Sequence, residues 1–159
     1  MAADRIGRQD RAVPQTGEDG MEPSREVSLL LKELRERSVF LRQRAAKELG
    51  RVDPALVPQH PELSTALRQA LHDPNKYVQI AAASTLVRLE PASPLGLEKL
   101  QSLLTDDHRD VRANAAVALG DLGPAAQAAV AALQAALQDS HAMVRTRIEE
   151  ALQKIQEAP

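Results

Sequence analysis

The chain has no cysteine and no tryptophan, and Phe40 and Tyr77 are its only aromatic rings. Without cysteine there is no disulfide framework, no thiolate nucleophile and no sulfur-ligated zinc, which suits a reducing, cytoplasmic location. With two rings there is little to stack on nucleotide bases, and the core must be filled by Leu, Ala and Val. No secretory signal is evident: residues 1–21 are scattered with Asp, Arg, Gly and Pro, where a signal needs an uninterrupted apolar stretch. The Ala-rich run from Ala125 to Leu137 is interrupted by Gln127 and Gln134, so no membrane span is expected there.

What is present suits a single helical domain. The 159 residues are 43% hydrophobic, enough to bury a core, and Ala and Leu are the strongest helix formers. A net charge of -2 gives no general attraction to nucleic acid or to an anionic membrane. The charge is unevenly spread. From Arg25 to Arg51 eight Lys/Arg stand against four Glu, giving +4, and from Val52 onward nine stand against thirteen acids, giving -4.

Four segments repeat: LRERSVFLRQRAAKELG from Leu34, LHDPNKYVQIAAASTLV from Leu71, LLTDDHRDVRANAAVALG from Leu103 and LQDSHAMVRTRIEEALQ from Leu137. With Leu41, Val78, Val111 and Val144 as equivalent anchors, the periods are 37, 33 and 33 residues. Apolar residues recur every three or four positions on both sides of a short polar break, so each unit is expected to be a helical hairpin. The break carries Glu36, Asp73, Asp106 or Asp139, then Ser38, Asn75, His108 or His141, types suited to capping the second helix. Pro74 and Pro124 stand where they begin or interrupt helices. The expected fold is an all-α, right-handed α-α superhelix of about four hairpins, at approximately 24–55, 61–92, 94–123 and 124–157 within a domain spanning 23–159. Residues 1–22 have low hydrophobicity and many turn formers, which predicts a disordered leader, with Met21 as an alternative translation start.

Asp106 to Gly123 reads D-x-x-x-x-V-R-x-x-A-A-x-A-L-G-x-L-G and resembles the HEAT-like repeat of the phycobilisome-lyase type, a resemblance covering residues 25–156. It implies a ladder between neighbouring repeats, formed by the turn acid and the Arg after the anchor. The matching pairs are Glu36 with Arg42, Asp106 with Arg112, and Asp139 with Arg145. In the second repeat Asp73 is kept but Gln79 replaces the Arg, which implies a neutral and weaker contact there.

End signatures are expected too. The Ala-Ala pair of the second helix (45/46, 82/83, 115/116) becomes Ile148-Glu149, Gln153 replaces a small residue, and Glu33 stands where other repeats have Ala70, Leu103 and Ala136. Terminal repeats of a solenoid need a polar outer face, so four repeats are expected to be the whole array. Leu31 aligns with Arg68, Gln101 and Gln134, an apolar residue at an expected outer position.

No catalytic pattern emerges. Hydroxylases built on such repeats carry His-Glu after the V-R pair, whereas this chain has Gln43-Arg44, Ile80-Ala81, Ala113-Asn114 and Thr146-Arg147. His108 and His141 fall one repeat apart, about 10 Å by helix-packing distances, too far to share a metal. There is no phosphate-cradling Gly-rich loop and no G-x-S-x-G elbow. No cofactor or metal is expected.

A surface remains. In such solenoids the second helices line the concave side, and 100° per residue places Arg44, Lys47, Arg51; Ala81, Ser84, Arg88; Asn114, Val117, Asp121; and Arg147, Glu150, Lys154 on their outward stripes. Arg44, Lys47, Arg51, Arg88, Asn114, Arg147 and Lys154 are therefore the candidate partner-binding residues, suited to an acidic helix or tail. Charge on an exposed helix is also what solvation alone would produce. The expectation is a non-enzymatic adaptor or assembly subunit holding a protein partner. The alternative is a lyase-like or chaperone subunit that handles a bilin-type cofactor with a partner chain, distinguished by a closed pocket with convergent polar groups.

Overall fold

The computed structural model describes residues 23–157; the expected leader, 1–22, lies outside them. Eight α-helices in four antiparallel pairs make up the described residues, with no strand among them. The pairs are α1 (Pro23–Glu33) with α2 (Val39–Leu49), α3 (Pro61–Ala70) with α4 (Lys76–Leu89), α5 (Leu95–Leu103) with α6 (Arg109–Leu122), and α7 (Val130–Ala136) with α8 (Ala142–Glu157). The architecture is an α-α solenoid: α2 packs on α4, α4 on α6 and α6 on α8. Short 3-10 segments, Pro54–Gln59 and Gly123–Ala129, bridge the first to the second pair and the third to the fourth.

Alanine at the seam explains how the second helices come together. Ala45, Ala46, Ala82, Ala83, Ala115 and Ala116 are all fully buried, and a methyl side chain lets the helix backbones approach closely. The Leu at the end of each helix, Leu49, Leu86 and Leu119, fills the interior between them. In the last pair Ile148 is fully buried while Glu149 and Gln153 are exposed. Thr85 adds a polar tie, its hydroxyl donating to the Ala46 carbonyl at 2.6 Å across the first two repeats.

The stretch 109–136 has the length and composition of a membrane-spanning helix. It is divided in space: α6 ends at Leu122, Gly123 takes a φ of 55°, and a 3-10 segment leads into α7. Pro124 at the head of that segment supplies no N–H to carry the helix on.

Two outer positions differ from expectation. Leu31 is buried, with Val27, Leu30 and Leu34, because i, i+3, i+4, i+7 is the inward stripe of α1. Glu33 is also largely covered, its side chain 14% exposed, and it forms an ion pair with Arg44 of α2. It therefore ties the first hairpin together and is not an outward polar cap.

The caps and the ladder are built by the turn acids. Ser38 accepts from the Leu41 N–H at 3.5 Å, and Asn75 accepts from Tyr77 and Val78. His108 occupies the cap position of α6 but its ring caps no N–H; instead Asp106 accepts from the His108 N–H at 3.0 Å, as Asp139 does from His141 at 2.8 Å. A ladder between repeats exists, but its carboxylate partners are offset by one repeat from the expected pairs. Arg42 makes a bidentate pair with Asp73 (2.7 and 3.1 Å), and Arg112 with Asp139 (2.6 and 3.0 Å). Within a repeat the Arg reaches only backbone carbonyls: Arg42 to Glu36, Arg112 to Asp106 and Arg145 to Asp139. The physical reason is geometric. An Arg six residues past the acid sits on the second turn, and its planar fork spans the carbonyl of its own loop and the carboxylate of the next.

The second repeat breaks this series as the sequence implies. Gln79 donates to the Asp73 carbonyl at 2.7 Å, its Oε1 is buried without a partner, and among the described residues the Asp106 carboxylate has Lys76, at 3.6 Å, as its one cation within ion-pair distance. The variant Gln79→Arg is expected to complete the ladder through Asp106 and to stabilise the chain by about 1 kcal/mol, the usual net worth of such a bond. Urea unfolding followed by circular dichroism measures it; an unchanged or lowered midpoint would show that the site cannot accept the guanidinium.

Candidate functional site

The inner face presents a groove of about 350 Å³, lined by the second helices α2, α4 and α6 and by Gly50 and Arg51 just past the end of α2. Its floor is apolar, formed by Ile80, Ala81, Val117 and Ala118, and its walls carry Lys47, Arg51, Arg88 and Asp121. This is the surface that the 100° stripes select, because residues seven apart return to nearly the same side of a helix.

Of the seven candidate residues, Lys47, Arg51, Arg88 and Asn114 line the groove. The other three stand outside its lining. Arg44 is held by Glu33, Arg147 pairs with Glu150 at 2.8 Å on its own helix, and Lys154 reaches across to Asp121 at 2.8 Å. That last bond raises the Lys154 pKa, mainly through the hydrogen bond to the Asp121 carboxylate. Arg51 bonds to Glu48 one turn earlier. Among the described residues Lys47 and Arg88 have no carboxylate within ion-pair distance, so these two cations are open to an incoming anion.

The sequence reading missed Tyr77 and Gln43, which also line the groove. Extending the α4 stripe back by one turn, from Ala81 to Tyr77, finds the ring. Tyr77 is half-buried against the core, and its hydroxyl has no hydrogen bond among the described residues. Phe40, the other ring, holds the equivalent position in the first repeat and is 72% exposed.

A second hollow, about 610 Å³, opens along the turn edge beside Asp106, Arg112 and Asp139. Its strongest polar groups are already bonded to each other as a rung of the ladder. Among the described residues no three His, Cys, Asp or Glu side chains cluster as metal ligands.

The family model for HEAT repeats matches at two overlapping positions, residues 27–120 and 64–153. The chain belongs to the HEAT-repeat family. No curated protein matches it. The two overlapping HEAT matches follow from the structure: each spans more than one hairpin, and they are displaced by one repeat, since 64 lies 37 residues after 27, the period from Leu41 to Val78. HEAT repeats as a family mediate protein–protein interaction and act as scaffolds.

Proposed function

We propose that this HEAT-repeat chain is a non-enzymatic adaptor or assembly subunit that binds a protein partner along its inner face. The supporting observation is the groove across α2, α4 and α6, with an apolar floor and two cations, Lys47 and Arg88, that no described carboxylate neutralises. Its polar groups line an open trough and do not converge on one point, which favours a chain segment over a small cofactor. A cytoplasmic location is part of the proposal, supported by a chain without cysteine. The proposal names neither nucleic acid nor membrane as a target, since the chain carries a net charge of -2 and little aromatic surface.

The test places a photoreactive amino acid at Ser84, inside the groove, or at Thr65, exposed on α3. Irradiation in native extract is expected to give a discrete adduct from Ser84 and none from Thr65. Adding Ala81→Arg, which fills the groove floor, should remove that adduct. Capture from Thr65 alone, or capture that survives Ala81→Arg, overturns the inner-face assignment.

A further inference from the structure

The chain's two aromatic rings stand at the same place in successive repeats, one residue before the anchors Leu41 and Val78. On α2, Phe40 lies on the stripe of Lys47 and Arg51; on α4, Tyr77 lies on the stripe of Ala81, Ser84 and Arg88. Neighbouring repeats set equivalent positions about 10 Å apart, so the two rings flank one another at the N-terminal edge of the inner face. The cations follow toward the C-terminal ends: Lys47 about 10 Å along the axis from Phe40, and Arg88 about 16 Å from Tyr77, at 1.5 Å per residue. In the third repeat both ends change character, Asp110 replacing the ring and Asp121 the cation.

We propose that the groove takes an acidic segment of a partner protein that carries an apolar anchor, bound over α2 and α4. The anchor lies against Phe40 and Tyr77, and carboxylates two to three helical turns away meet Lys47 and Arg88. This rests on the adaptor reading and narrows its partner. Two observations select this chemistry. A ring left 72% exposed is an unsatisfied apolar surface of the kind that anchors an interface. The unneutralised charges on this face, Lys47 and Arg88, are positive, while the third repeat offers an anion no open cation at the matching positions, where Asp110 and Asp121 stand in ion pairs with Arg109 and Lys154. A polyphosphate backbone needs a longer cationic track than two open side chains provide.

The test uses the full chain against a displayed library of random peptides about a dozen residues long, with selected peptides resynthesised and their Kd measured by fluorescence anisotropy. Tyr77 is the sole tyrosine in a chain without tryptophan, so its emission reports directly on the groove. Selected peptides are expected to combine Asp or Glu with Leu, Ile or an aromatic residue and to change Tyr77 emission. Phe40→Ser should weaken them about tenfold, and Lys47→Glu with Arg88→Glu at least tenfold while flattening the salt dependence. All three side chains are exposed, so unchanged melting curves serve as the folding control. Acid-poor peptides that are lost on Ala81→Arg leave the adaptor reading standing and sink this inference. So do acidic peptides indifferent to both sets of variants, or a single-stranded oligonucleotide of about twenty nucleotides that binds more tightly. No peptide sensitive to Ala81→Arg overturns both readings together.

Discussion

Replacing Asp139 with alanine is expected to destabilise the chain by about 2–4 kcal/mol, as befits a mostly covered ion pair that loses one partner. The Asp139 carboxylate takes two bonds from Arg112 and one from the His141 N–H, with side chains only 8% and 12% exposed for the acid and the Arg. Alanine leaves the guanidinium without its carboxylate and removes the acceptor at the start of α8. The control is Asp121→Ala, whose pair with Lys154 is nearly as short at 2.8 Å but more than half exposed on both sides. There the expected loss is under about 1 kcal/mol, because water competes for both groups. Urea unfolding of the two variants at neutral pH decides the matter, and equal losses would remove the ladder from the account of stability.

The same carboxylate sets a pH dependence. The hydrogen bond from Arg112 is the largest influence, and with the His141 N–H and both positive neighbours it outweighs burial, so that Asp139 titrates at about 2 where an ordinary aspartate titrates at 3.8. A folded-state value below the unfolded one means that the unfolded chain binds the proton first. The stabilisation is therefore fully present above about pH 4 and is lost as pH falls through about 2. Stability of the parent chain should decline across that window more steeply than that of Asp139→Ala; parallel curves would contradict the assignment.

Gly120→Ala should lower stability although helix propensity alone favours alanine by about 1 kcal/mol. Gly120 lies in the last turn of α6, and a Cβ there would meet the Ala151 Cα at 2.8 Å and its Cβ at 3.1 Å. These are atoms of the α8 backbone and its root, which cannot swing aside. At Gly96 the obstacle is harder still, the Ala83 carbonyl oxygen at 2.5 Å. Forcing helices apart in a close-packed core typically costs about 1–3 kcal/mol, enough to reverse the propensity gain at Gly120 and to exceed it at Gly96. Circular dichroism melts of both variants test the sign, and a higher melting temperature for either would show that the repeats separate freely.

Much of this was legible before any coordinates. The hairpins, the Ala-Ala seam and the inward Leu positions follow from spacing, because 3.6 residues per turn fixes the angle of each side chain about its own axis. The stripes that became the groove were found by the same arithmetic, and Lys47, Arg51, Arg88 and Asn114 lie on it. Where that arithmetic stopped one turn early, at Ala81, it lost Tyr77.

What spacing cannot supply is the relation between one hairpin and the next. That relation decides that Arg42 meets Asp73 and not the Glu36 carboxylate, that Arg112 meets Asp139, and that Lys154 crosses to Asp121. Within the first hairpin, the pairing of Glu33 with Arg44 depends likewise on how α1 sits against α2, whereas the inward turn of Leu31 follows from the period of α1 itself. A repeat sequence encodes each helix pair's apolar sides locally, through period and composition. Partners for its long polar side chains depend on the offset and rotation between stacked pairs, and those are set by how the alanines and glycines of neighbouring helices pack.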